Sequence, residues 1–257
     1  MMNLTDAILD PLQRADPMGP RITYYDDATG ERIELSTVTL ANWAAKTANL
    51  LRDELGAGNG TRVAVLLPAH WQTAAVLLGV WWIGAEVVLS GTGAARPATS
   101  GTGAAGPATS GTADVALCTA DRLDEADDAV AGGEVAVLSL DPFGKPVPDL
   151  PIGVTDYATA VRVHGDQVVP EQHPGPALDG RAVAEVLGAA RDSAAKQDLS
   201  AYDRVMSSAP WSTADEVVTN LLAVFVVGAS LVQVANPDRA ALERRRQTEK
   251  VTRDLAG

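Results

Sequence analysis

The chain has 257 residues, of which 46% are apolar and 21% charged, enough to build one large α/β domain or two closely joined subdomains. Its formal net charge of −13 sets up a field that repels polyanions, which argues against nonspecific binding to nucleic acid or to an anionic membrane. A single cysteine, Cys118, excludes an internal disulfide, and the three histidines do not fall at metal-ligand spacing.

Elements alternate along the chain. Asn3 to Ala15 reads as a short amphipathic helix ending before Pro17, without the basic start of a signal peptide; a cytoplasmic protein is expected. Arg21 to Tyr25 and Arg32 to Leu35 form a hairpin across the turn-rich Asp26-Asp-Ala-Thr-Gly30. Ser36 or Thr37 caps a helix in which Leu40, Trp43, Ala44, Thr47, Leu50, Leu51 and Leu55 keep the three-four spacing. Arg62 to Leu67 is a buried strand, Trp71 to Ile83 a helix apolar all round, and Glu86 to Leu89 the next strand. Together they make a βαβ unit and imply a mostly parallel sheet with flanking helices.

Ser90-Gly-Thr-Gly-Ala-Ala-Arg-Pro-Ala-Thr99 is then followed by a second decamer matching it at nine of ten positions. Two copies are too few for a solenoid, and small residues with little to bury suit a linker. The expected organisation is a first α/β portion over 1–89, a low-complexity linker over 90–112 and a second portion over 113–257, the two portions sharing one domain. Later strands are expected at Val115 to Cys118, Val135 to Leu138, Arg204 to Ser207 and Leu231 to Val234. Helices are expected at Arg122 to Ala129, Asp156 to Val161, Arg181 to Lys196, Thr213 to Val227 and Arg239 to Arg253. Val217 to Pro237 carries no charge over 21 residues, but Asn220, Gln233, Asn236 and the dividing Gly228 favour a buried helix, a glycine stop and a buried strand over a membrane span.

Ala41-Asn-Trp-Ala-Ala-Lys-Thr-Ala-Asn-Leu-Leu51, Gly60-Thr-Arg-Val-Ala-Val-Leu-Leu-Pro68 and Gly84-Ala-Glu-Val-Val-Leu89 resemble the N-terminal subdomain of acyl-CoA synthetases, members of the adenylate-forming (AMP-binding) superfamily. Ala201-Tyr-Asp-Arg-Val-Met-Ser-Ser-Ala-Pro210 and Leu221 to Val234 resemble the segment that follows the phosphate loop in those enzymes. The chain also resembles a short actinobacterial family related to AMP-binding proteins. The resemblance implies the N-terminal fold without the C-terminal part, and it implies where ATP would bind.

The chemistry does not follow the ancestry. Thr99-Ser-Gly-Thr-Gly-Ala-Ala-Gly-Pro107 resembles the superfamily's phosphate loop, yet no lysine follows the proline and the match arises inside the repeat. The resemblance places the true loop shortly before the helix at Arg181, and from Ala160 to Asp192 there is no Ser, Thr or Lys. No catalytic, cofactor-binding or metal residues are therefore assigned. ATP or AMP is a residual possibility, and the expected role is a non-catalytic binding or regulatory module with a protein partner or a second copy of itself. The alternative is a reduced ligase or nucleotide/acyl-binding protein completed by a partner polypeptide.

Other constellations keep two readings. His164 and His173 with Asp166 and Glu171 are an acid/base cluster or a solvated loop, and His70 stands apart from both. Ser90, Ser100 and Ser110 lack the strand–elbow–helix setting of a nucleophile, and Cys118 sits on a buried strand. Trp81 and Trp82 are core, or one of them reaches a partner. Arg239, Arg244 to Arg246, Lys250 and Arg253 are a solvated face interleaved with Asp238, Glu243 and Glu249, or a docking surface for an acidic partner.

Overall fold

The computed structural model describes residues 2–89 and 112–255, so the repeat with Ser90, Ser100, Ser110 and the Thr99 to Pro107 motif lies outside the described residues. Asn3 caps α1 (Leu4–Ala15) by accepting the Asp6 amide, and β1 (Pro20–Asp26) pairs antiparallel with β2 (Glu31–Ser36). Ser36 caps α2 (Thr37–Asp53), after which β3 (Arg62–Leu66), α3 (Trp71–Trp82) and β4 (Glu86–Val88) complete the βαβ unit. Beyond the repeat come β5 (Val115–Thr119), α4 (Leu123–Val130), β6 (Glu134–Leu138), β7 (Thr155–Asp156), α5 (Tyr157–Ala160), β8 (Pro176–Leu178), β9 (Arg181–Ala182), α6 (Val183–Lys196) and β10 (Arg204–Ser207). The chain closes with α7 (Ala214–Val217), a π turn over Val218–Leu222, α8 (Ala223–Val226), β11 (Ser230–Ala235), α9 (Arg239–Glu249) and β12 (Arg253–Leu255).

Among the described residues the strands form two sheets. One runs β12-β10-β11-β1-β2, the other β7-β6-β5-β3-β4-β8-β9, and each is parallel except for one hairpin at its edge. Both sheets draw strands from before residue 90 and after residue 111. The reason lies in α3. Every residue from Trp71 to Trp81 is buried, so the helix needs cover on all sides. It packs against α2 and touches β1 of the first sheet and β4 of the second, putting a helix layer between the sheets. Strand alternation then builds the outer layers. Val63 and Val65 face the central core, whereas Ala64 and Leu66 join Ala126 and Val130 of α4 on the far side. Leu231 likewise faces the centre, and Val232 and Val234 face Leu242 of α9.

Where α2 and α3 cross, a Cβ added to Gly79 would lie 2.9 Å from the Ala44 carbonyl oxygen and 3.1 Å from the Ala48 nitrogen. Glycine is what lets the two backbones come this close.

Three sequence expectations need correction. The helix expected from Arg181 begins only at Val183, because Arg181–Ala182 pairs with β8 as an edge strand. The helix expected through Arg253 stops at Glu249, where Lys250 takes a left-handed conformation at φ 53°, and Arg253–Leu255 joins β10. Both readings of the basic helix, solvated face or docking surface, place Glu249 at the surface. It is instead 6% exposed and accepts hydrogen bonds from Tyr25 Oη at 2.5 Å, Arg32 Nη2 at 2.9 Å and Arg204.

Candidate functional site

At the place where the resemblance puts the phosphate loop, the chain makes a two-residue turn. β8 and β9 are joined through Asp179 (φ 43°) and Gly180 (φ 78°), with Leu178 opposite Arg181. Positive φ at both central positions is the type I′ hairpin, and Asp-Gly is among its preferred dipeptides. The polar groups around this turn are used internally. Gly180 N–H donates to Glu86 Oε1 at 2.6 Å, Leu89 N–H to Asp179 Oδ1 at 3.1 Å, and Asp179 N–H to the Val87 carbonyl at 3.0 Å. Arg62 Nε lies 3.7 Å from Glu86 Oε2 and Arg181 Nη1 2.8 Å from Asp215 Oδ1, so both guanidinium groups beside the turn face the chain's own carboxylates. A phosphate would meet two carboxylates and an amide that already has its acceptor.

A second place has the shape of a ligand site. A cavity of about 330 Å³ opens between α2, α3, α5 and the loop after β6. Trp43, Trp71, Phe143, Tyr157 and Val161 supply apolar walls; Lys46, Gln72, Asp141 and Arg162 are the polar ones. The segments that follow β3 and β6 line it, so it lies outside the carboxyl ends of those strands. β4 sits on one side of β3, and β6 on the far side of β5. Chain direction across the sheet thus reverses between β3 and β5, the setting in which open α/β sheets hold ligands.

No protein-family model matches the chain. A TIGR03089 family protein of Mycobacterium tuberculosis (strain ATCC 25618 / H37Rv) is 64% identical over 256 residues, covering 98% of each chain. The chain belongs to the TIGR03089 family. Among solved structures it is similar to the Brucella canis acyl-CoA synthetase (TM-score 0.74, 19% identity, 98% of this chain and 47% of that one). A Mycobacterium tuberculosis fatty acyl CoA synthetase matches with a TM-score of 0.67 at 19% identity, over 98% of this chain and 48% of the other. The N-terminal domain of FACL13 from Mycobacterium tuberculosis matches with a TM-score of 0.65 at 18% identity, over all of this chain and 63% of that one. The family member described here has the N-terminal fold of acyl-CoA synthetases and spans about half the length of the full synthetases it matches.

The remaining candidates in this family member do not assemble into one site. His70 Nδ1 accepts the Gln72 amide at 3.1 Å and caps α3; burial lowers its pKa, so it is a neutral imidazole with the proton on Nε2. That Nε2 lies 3.8 Å from Glu31 Oε1, too far for a hydrogen bond. His164 Nε2 lies 2.9 Å from Oε1 of Glu54, the residue that caps the C-terminus of α2, and its carbonyl accepts Lys46 Nζ at 2.5 Å. The His173 side chain is 88% exposed beside Glu171, and Asp166 faces solvent. The two loop histidines therefore do not form an acid/base cluster: His164 ties the loop to Glu54, and the His173 side chain points to solvent. Cys118 is fully buried, and burial pushes its thiol up to about 12, which leaves it unreactive. Trp81 Nε1 donates to the Ala177 carbonyl at 2.7 Å and Trp82 Nε1 to Asp6 Oδ1 at 2.6 Å, so both indoles are held within the fold. Arg245 turns inward to pair with Asp27 and lies 4.2 Å over the Tyr25 ring, while Arg239 and Arg244 stay exposed. Among the described residues no group of three His, Cys, Asp or Glu could hold a metal, and no helix is long and apolar enough to cross a membrane. The cavity was not foreseen because its walls come from positions far apart in sequence.

Proposed function

We propose that this family member is a cytosolic, non-catalytic relative of the adenylate-forming enzymes that acts as a binding or regulatory module. The observation that carries the reading is the 2.6 Å hydrogen bond from Gly180 N–H to Glu86 Oε1, within a turn that also bears Asp179. Adenylate formation depends on electrostatic stabilisation of phosphate charge, by backbone amides, hydroxyls and an ammonium. Here the amide is taken by a fixed carboxylate, Asp179 adds negative charge, the Arg181 guanidinium is paired with Asp215 at 2.8 Å, and from Ala160 to Asp192 there is neither hydroxyl nor ammonium. The fold keeps a preformed cavity elsewhere, which suits binding without turnover.

The test combines a pyrophosphate-release assay with thermal melts of the full chain. With Mg-ATP and acetate, octanoate or benzoate, no pyrophosphate above background is expected. Mg-ATP, AMP and a non-hydrolysable acyl-adenylate mimic should leave the melting temperature unchanged. A dose-dependent rise with Mg-ATP, with or without turnover, would overturn the reading.

A further inference from the structure

We infer that the chain pairs with a second copy of itself through β2, the two β2 strands lying antiparallel about a two-fold axis at Ile33. Among the described residues four strands stand at sheet edges: β2, β7, β9 and β12. Strands β7, β9 and β12 have two or three residues each, too few to template a partner, whereas β2 has six. Self-pairing needs neither a nucleotide nor the cavity, and so goes beyond the binding-module reading.

Main-chain alternation decides which groups of β2 are free. Asp27 N–H donates to the Ala235 carbonyl of β11 at 3.2 Å, and Gly30 N–H donates to the Asp26 carbonyl at 2.8 Å. Odd-numbered residues of β1 therefore turn their N–H and C=O toward β11, and even-numbered ones turn theirs toward β2. Ile22 stands opposite Leu35 and Tyr24 opposite Ile33, so the main-chain groups of Ile33 and Leu35 are used on β1. Arg32 and Glu34 point the other way, and each presents an N–H and a C=O to the open edge.

The side chains choose the register. A hydrogen-bonded antiparallel pair joins two residues that both face the edge, which leaves three two-fold arrangements of Arg32 and Glu34. Arg32 opposite Arg32, or Glu34 opposite Glu34, sets like charges directly across. Arg32 opposite Glu34 of the second copy, with its reciprocal, sets opposite charges across twice, and only this arrangement is favourable. It also brings Ile33, a partly buried core residue, against its own copy at a non-hydrogen-bonded pair, where side chains come closest.

Both charged groups keep the atoms this needs. Arg32 uses Nε and Nη2 within its own chain, on Tyr25, Glu249 and Glu34, and Glu34 accepts through Oε2. Arg32 Nη1 and Glu34 Oε1 take part in none of these bonds, and the two side chains stay 44% and 38% exposed. The internal bonds also hold both side chains beside the edge before a partner arrives, which lowers the ordering cost of pairing. Two chains of net charge −13 repel at long range. At physiological salt the screening length is about 8 Å, so that repulsion is muted while charges in contact across the strands still interact.

The test is sedimentation velocity of the full chain over a dilution series at physiological salt, with amide hydrogen exchange followed by NMR at high and low concentration. A concentration-dependent dimer of the weak class that small interfaces give is expected. Raising the concentration should slow exchange at the Arg32 and Glu34 amides and leave the Ile33 amide, which faces β1, unchanged. Glu34→Arg sets arginines across both pairs and Arg32→Glu sets carboxylates across both, so each variant alone should dimerise about tenfold more weakly than wild type. Mixing the two puts opposite charges across again and should restore pairing as a heterodimer, a rescue that damage to either fold would not produce. Melting curves check that each variant folds; if one does not, the exchange pattern of the wild type decides alone. A wild type that stays monomeric up to millimolar concentration leaves β2 to solvent or to a strand of another protein and overturns the inference. Dimerisation without protection at Arg32 and Glu34, or a mixture of folded variants that pairs no better than its parts, overturns it as well. None of these results bears on the phosphate site, which pyrophosphate release and the nucleotide melts test separately.

Discussion

Helices α3 and α9 are held by opposite means. Helix α3 buries all of Trp71 to Trp81 and meets α2 backbone to backbone across Gly79. Helix α9 buries only Arg245 and Glu249, and both are charged. Arg245 pairs with Asp27 under the Tyr25 ring, and Glu249 accepts from Tyr25, Arg32 and Arg204, so the helix is fixed to the outer face of the first sheet by a polar network. The inner layer depends on shape and the outer one on charge. The two should therefore fail differently: α3 to added volume, α9 to a lost partner or to acid.

The largest effect is expected at Gly79. Gly79→Leu drives a side chain into the Ala44 carbonyl and the Ala48 nitrogen, and backbone cannot move aside as a flexible side chain can. Overpacking typically costs about 1–3 kcal/mol, and a clash with backbone lies at or beyond that upper end. The purified variant should lose its cooperative thermal transition, and a normal melt would show that the α2–α3 contact yields more easily than its geometry implies.

Glu249→Ala comes next. Removing the carboxylate leaves Arg204, 14% exposed, facing an empty place, and breaking a buried pair from one side costs on the order of 3 kcal/mol. For a chain of this size that corresponds to a fall in melting temperature of about 6–12 °C. Acid should act on the same group. Burial pushes the Glu249 carboxyl up, but hydrogen bonds from Tyr25, Arg204 and Arg32 outweigh it and hold the pKa below its ordinary 4.5. The group's contribution is thus complete above pH 4.5 and is lost as pH falls through the lower folded-state value. The stability gap between wild type and Glu249→Gln should narrow across that window in melts run at successive pH values; a constant gap would mean that Glu249 does not titrate with the fold.

The same contrast explains what the sequence revealed. Helix α3 and strands β3, β5, β6 and β11 are legible because burial on several sides leaves continuous apolar runs. Helix α9 reads as solvated because Arg and Glu nearly always are, and nothing in its local pattern says that Arg245 and Glu249, four apart on one face, point inward. Strands β7, β8, β9 and β12 have two or three residues each, too few for alternation to register. Asp179-Gly180 was nonetheless a usable turn signal between Ala177-Leu178 and Arg181-Ala182. The cavity had no such signal, since α2, α3, α5 and the loop after β6 bring its walls together only in three dimensions.

That turn gives a smaller effect. Gly180→Ala places a Cβ in a left-handed conformation at φ 78° with open space around it, so strain is the whole penalty, about 1 kcal/mol. A fall of about 2–4 °C in melting temperature is expected. A rise instead would show that the Glu86–Gly180 bond does not fix the turn.

The smallest effect belongs to Arg253. Its guanidinium lies 3.2 Å from Asp198, but the two side chains are 45% and 94% exposed, and its second acidic neighbour, Asp203, is 4.0 Å away. Water competes for both charges, and ordering two mobile side chains offsets what attraction remains, so Arg253→Ala should change stability by no more than about 0.5 kcal/mol. The backbone of Arg253 is a separate matter, because β12 is held to β10 through main-chain pairing that the substitution keeps. Equal melting curves for wild type and Arg253→Ala, beside a large loss for Glu249→Ala, would show that the outer layer depends on its buried charges and not on the basic character of its surface. A loss at Arg253 comparable to that at Glu249 would instead mean that the whole charged face acts as one network.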